Sequence, residues 1–123
     1  MANLTEQEVA GFVTASIPSV WALETLLLLK RGAPDGWTIE QLVSRLRSSE
    51  LAISQGLNRL EQAGLVVHND REYRYSPVSP LVTNIADEIE KLYAAKPVWL
   101  MNLILNAKNE NLQVFANSFR LKE

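Results

Sequence analysis

The sequence predicts a mainly α-helical protein with one small β-hairpin, and three observations carry that expectation. Residues 38–63 hold two capped helical segments separated by a short turn. Residues 65–76 follow with two short β-rich runs around a polar tip. On both sides lie apolar stretches whose hydrophobic residues recur at helical spacing. Helix, turn, helix and hairpin in that order make a winged helix-turn-helix, here with additional N- and C-terminal helices.

Thr5 and Glu8 stand at capping-box spacing, so the first helix opens there and runs to about Ser16. Pro18 fits a first helical turn, which predicts a second helix from Pro18 to Arg31, stopped by Gly32, with either a break or only a kink at the joint. Ile17, Val20, Trp21, Leu23 and Leu26 to Leu29 cover more than one face of it, as expected of a central helix. Ala33-Pro34-Asp35-Gly36 forms a turn. Thr38 and Gln41 then make a second capping box, with Trp37 and Leu42 spaced as a hydrophobic staple. Ile39, Leu42, Val43 and Leu46 give this helix its inner stripe.

The next helix is capped by Ser48 or Ser49, buries Ile53, Leu57 and Leu60, and closes at Ala63-Gly64. Leu65 to Val67 and Tyr73 to Tyr75 supply the strands, with Asn69 to Glu72 as the tip and Pro77 and Pro80 beyond. From Leu81 to Ala95, Leu81, Ile85, Ile89 and Leu92 form an apolar stripe, and Asp87, Glu88, Glu90 and Lys91 mark a solvated face. Pro97 interrupts that helix before the apolar run Val98 to Leu105. Asn109 to Arg120 carries a last helical stripe that includes Leu112, Phe115 and Phe119.

With 123 residues, 47% of them apolar, the chain suits one domain. Its helix-turn-helix and wing span about 38–77, and flanking helices at 5–31 and 81–120 offer a dimerisation or partner surface. Lys and Arg number 12 against 14 Asp and Glu, a net charge of −2, so any affinity for nucleic acid has to come from local patches. There is no cysteine, which excludes disulfides and thiol chemistry. The one histidine, His68, cannot assemble a triad or a metal cluster within one chain, and no glycine-rich phosphate loop exists. The expectation is therefore no catalysis, no metal and no cofactor. The polar N-terminus and short apolar runs predict a cytoplasmic protein with no membrane association.

The segment ELAISQGLNRLEQAGLV, residues 50–66, resembles the recognition helix of winged-helix bacterial transcription regulators of the MarR and ArsR type. The resemblance covers about forty residues of the helix-turn-helix and wing. It implies a homodimer on double-stranded DNA, with helix 49–63 in a major groove and the wing clamping the backbone. Positions facing away from Ile53, Leu57 and Leu60 then become candidate contacts. Gln55 and Asn58 suit adenine edges, Arg59 guanine or phosphate, and Ser54 either. Arg47 and the amides around Ser49 would meet phosphate, as would Arg71 and Arg74 on the wing. The bland alternative is an ordinary solvated face.

Three departures from the family pattern stand out: Gln55 in place of a common arginine, Gly56 in place of a larger residue, and Glu50 near the groove. Over residues 38–76, Arg45, Arg47, Arg59, Arg71 and Arg74 are balanced one for one by Glu40, Glu50, Glu61, Asp70 and Glu72. A neutral unit gains little from counterion release, so dimerisation would have to double its contacts. Trp99, Met101, Ile104, Phe115 and Phe119 supply apolar surface for a dimer or for a protein partner docked on the C-terminal helices. The rival reading is a winged-helix protein-protein interaction adaptor without DNA binding. Trp21, Trp37 and Trp99 could line a ligand pocket, but aromatic core packing is the commoner reading of such residues.

Overall fold

The computed structural model describes residues 4–107. Its elements are α1 (Glu6–Ser16), α2 (Val20–Arg31), β1 (Trp37–Thr38), α3 (Ile39–Leu46), α4 (Glu50–Gln62), β2 (Val66–Asn69), β3 (Glu72–Tyr75), α5 (Pro80–Ala95) and α6 (Pro97–Ala107).

Both capping boxes form. The Thr5 hydroxyl accepts from the Glu8 amide at 3.1 Å while the Glu8 carboxylate accepts from the Thr5 amide, and Thr38 and Gln41 repeat the arrangement on α3. The second helix begins later than its sequence suggests. Pro18 lies outside it, Ser19 caps it by accepting from the Ala22 amide at 3.1 Å, and the α1 and α2 axes differ by 109°. A hydroxyl that satisfies an orphan amide fixes the start more firmly than a proline that only tolerates one.

Helix α2 is the centre of the molecule, burying Ala22, Leu23, Leu26, Leu27 and Leu29. Thr25, the buried polar residue of this helix, donates its hydroxyl to the Trp21 carbonyl at 2.8 Å. Helix α4 crosses α2 at close range. A Cβ on Gly56 would stand 3.2 Å from both Cα and Cβ of Ala22, so a side chain at this departure from the family pattern would press on α2. Helix α4 ends in a Schellman motif: the Leu65 amide donates to the Leu60 carbonyl and the Gly64 amide to the Glu61 carbonyl, each at 3.0 Å. Gly64 adopts φ +79 there.

The wing has three strands, in the order β1-β3-β2 and antiparallel throughout. Trp37 pairs with Tyr73 and Thr38 with Glu72, a strand that the sequence does not announce because two residues show no alternation. Strand β2 reaches two residues and β3 one residue closer to the tip than expected, with Asn69 opposite Glu72 and only Asp70 and Arg71 between them. Val66, His68, Tyr73 and Tyr75 share the inner face, where the rings of His68 and Tyr73 stack at 4.2 Å.

Two expectations for α5 are corrected. Leu81 is 58% exposed; Val82 continues the stripe of Ile85, Ile89 and Leu92 into the core, because spacings of three and seven follow the helix more closely here than a run of fours. The acids of α5 are also more than a solvated face. Lys30, whose side chain is only 14% exposed, pairs with Asp87 at 2.9 Å and Glu90 at 2.6 Å, and Arg31 reaches Glu90 at 3.3 Å. Glu88 does stay on the surface, paired with Lys91 at 3.3 Å. Burial alone would lower the Lys30 pKa, but hydrogen bonds and charge from Glu90 and Asp87 outweigh it and raise the value above the usual 10.5. The same hydrogen bond from Lys30, helped by Arg31 and opposed by burial, holds Glu90 below 4.5. Tyr93 adds a hydrogen bond to Glu24, and Lys96 pairs with Glu6 at 2.8 Å, so α5 is fastened to both α1 and α2.

Candidate nucleic-acid interface

The turn between α3 and α4 is built by Arg47, Ser48 and Ser49. Arg47 caps α3 in the left-handed region, φ 54 and ψ 46, a conformation that costs an L-residue about 1–2 kcal/mol. Its side chain is exposed beside the start of α4. Ser49 is the N-cap of α4, its hydroxyl accepting from the Ala52 amide at 3.1 Å.

Helix α4 presents two opposed faces. Ile53, Gly56, Leu57 and Leu60 are buried, whereas Leu51, Gln55, Asn58 and Gln62 are exposed and recur at intervals of four, three and four, which puts them in one outward stripe. Three of the four are carboxamides. The fourth, Leu51, is 66% exposed and was absent from the sequence-derived contacts, since an apolar residue reads as core until its angular position is known. No charged residue lies on this stripe.

Ser54 and Arg59 flank it, and both are engaged within the protein. The Ser54 hydroxyl donates to the Glu50 carbonyl at 2.7 Å, a back-bond one helical turn away. Arg59 Nη2 donates to the Ala15 carbonyl at 2.6 Å. Ala15 is in the last turn of α1, where carbonyls lack intrahelical partners and the helix dipole is negative, so a guanidinium satisfies both needs. Arg59 thereby ties α4 to α1. Nothing in the sequence signals this contact, which spans 44 positions.

On the wing, Arg71 is exposed at the two-residue tip, after Asp70 in the left-handed region at φ 54. Arg74 is half-buried on the outer face, with Nη2 at 3.5 Å from Glu72 Oε1. Arg71 is therefore the freer of the two wing cations.

Beside α4 a cleft of about 630 Å³ separates it from the α1–α2 joint and α6, lined by Thr14, Ile17, Trp21, Gln55, Asn58, Arg59, Ile104 and Ala107. Trp21 is 41% exposed at this cleft. Trp37 packs on the core, and Trp99 is exposed with the Lys96 ammonium 5.9 Å above its ring. On α6, Ile104 and Leu100 turn into the protein's own core, Met101 is half-buried, and Val98, Trp99 and Leu105 face outward. Phe115 and Phe119, with the helix expected at Asn109 to Arg120, lie outside the described residues.

Among the described residues no group of acidic or histidine side chains could hold a metal ion. No single helix among them is long and apolar enough to cross a membrane.

No family model and no curated protein matches this sequence. Among solved structures, reduced HlyU from Vibrio cholerae is similar in fold: the TM-score is 0.51 at 23% identity, over 73% of this chain and 90% of that one. With the element order and the three-stranded wing, that likeness decides the architecture. The fold is a winged helix-turn-helix. At that identity the winged-helix likeness is one of fold, and the chemistry has to be argued from α4 and the wing.

Proposed function

We propose that this winged-helix protein is a cytoplasmic transcriptional regulator that binds double-stranded DNA as a homodimer. Helix α4 lies in a major groove and the wing holds the adjacent backbone. One observation carries the reading: the outward stripe of α4 is open and lined by carboxamides, with an exposed cation at its entrance, Arg47, and another at the wing tip, Arg71. Carboxamides on a groove-sized rod suit base edges, and the flanking arginines suit phosphates. The resemblance of residues 50–66 to MarR- and ArsR-type regulators and the fold shared with HlyU support the same reading. The exposed side of α6, at Val98, Trp99 and Leu105, with Met101 at its edge, offers apolar surface to the second copy.

The rival, an adaptor that docks a protein instead of DNA, draws on the balanced charge of residues 38–76. Fluorescence anisotropy with random and selected duplexes over a salt series separates the two. A regulator gives a linear loss of log affinity with log salt, and Arg71→Ala lowers the slope by about one counterion for all sequences alike. Absence of duplex binding at about 50 mM salt, in a range where weak binders are still retained, rules out the regulator.

A further inference from the structure

Building on the DNA-binding reading, we propose that the operator half-site is rich in A·T pairs and that Leu51 selects it by packing on a thymine methyl group. The outward stripe of α4 combines one aliphatic side chain with three carboxamides. Leu51, at its N-terminal end, is 66% exposed, and Gln55, Asn58 and Gln62 follow on the same line. The N-terminal part of a recognition helix is the part that reaches deepest into a major groove. Each base pair shows a different pattern there: guanine offers two acceptors, best met by arginine or lysine; adenine offers an acceptor and a donor, matched by a carboxamide; thymine offers a methyl group.

This stripe has no cation for guanine, because the arginine nearest to it, Arg59, is bonded to the Ala15 carbonyl at the end of α1. It has carboxamides for adenine and one aliphatic side chain for the methyl of the paired thymine. An exposed leucine on a polar face is unfavourable in water, and a thymine methyl is the one apolar feature of the major groove that it can cover. A·T pairs therefore satisfy the amides and the leucine together, whereas G·C pairs leave Leu51 against polar edges.

The test uses the full chain and DNA alone. Duplexes are selected from a random pool at fixed salt, and the affinity of the best one is compared with that of a copy carrying deoxyuridine for thymine, which removes only the methyl groups. The unmodified protein is expected to select A·T pairs in each half-site and to bind the deoxyuridine duplex about fourfold more weakly per contacted thymine, the worth of burying one methyl-sized group. Leu51→Ala, an exposed substitution to a strong helix former, keeps the fold and binds both duplexes equally. Selection of G·C pairs, an unchanged affinity for the deoxyuridine duplex, or an equal loss in Leu51→Ala overturns the role of Leu51 while leaving DNA binding intact. Failure to retain any duplex overturns DNA binding itself, and this assignment with it.

Discussion

Gly56 offers the sharpest test of how the interface is positioned. In an open helix Gly→Ala stabilises by about 1 kcal/mol through backbone entropy and propensity. At this site the new Cβ would stand 3.2 Å from the Cα and the Cβ of Ala22, which is buried in the first turn of α2 with its amide held by the Ser19 hydroxyl. Overpacking of this kind costs about 1–3 kcal/mol. The two effects leave Gly56→Ala destabilised by about 1 kcal/mol, equivalent to a fall of about 4 °C in Tm for a domain of this size.

The pair also predicts its own rescue. Ala22→Gly removes one of the two close atoms, so the double variant should be more stable than the sum of the single losses by about 0.5–1 kcal/mol. Urea unfolding followed by circular dichroism on the four proteins measures the cycle, and DNA affinity measured in parallel reports whether α4 has moved. A Gly56→Ala protein more stable than the parent by the full propensity term, or a cycle with no coupling, would refute the claim that close approach of α2 and α4 dictates the glycine.

Other substitutions separate stability from binding. Arg47→Gly relieves the left-handed strain at the end of α3 and should stabilise the fold by up to about 1 kcal/mol in thermal unfolding, yet weaken binding to every duplex sequence; tighter binding would show that Arg47 does not meet phosphate. Arg59→Ala should cost no more than about 1 kcal/mol, since its bond to Ala15 is solvent-exposed, and should leave base preference unchanged; a changed selected sequence would return Arg59 to the base-reading set. The Lys30 and Glu90 shifts fix a pH profile. Because Glu90 is held below 4.5, its contribution is complete above that value and is lost as pH falls through the lower folded pKa, while the raised Lys30 contributes fully below 10.5 and loses its share above it. Glu90→Gln should therefore flatten the acid limb of stability, read as urea midpoints between pH 3 and 7, and an unchanged limb would count against the pair.

The local grammar of this chain was legible because its signals act within a few residues. Thr5 with Glu8, Thr38 with Gln41, the serine before α4 and the glycine after it each satisfy backbone groups close by, so the helices and their order could be read in the absence of tertiary contacts. The spacing of Ile53, Leu57 and Leu60 likewise marked the buried side of α4. Less legible were features that depend on what lies opposite. Strand β1 exists because β3 is there to pair with it, and Val82 displaces Leu81 because of where α5 meets the core.

The sequence by itself determined the winged-helix topology, the absence of thiol chemistry and the neutral charge of the helix-turn-helix, all of which follow from residue type and spacing. Only the tertiary structure decided which side chains of α4 remain free. It turned Arg59 to the end of α1, brought Gly56 against Ala22, buried Ile104 and left Leu51 in the open. The reason is that periodicity specifies a helix's faces, while the neighbour that occupies each face comes from elements tens of residues away, whose positions are set by packing of the whole core.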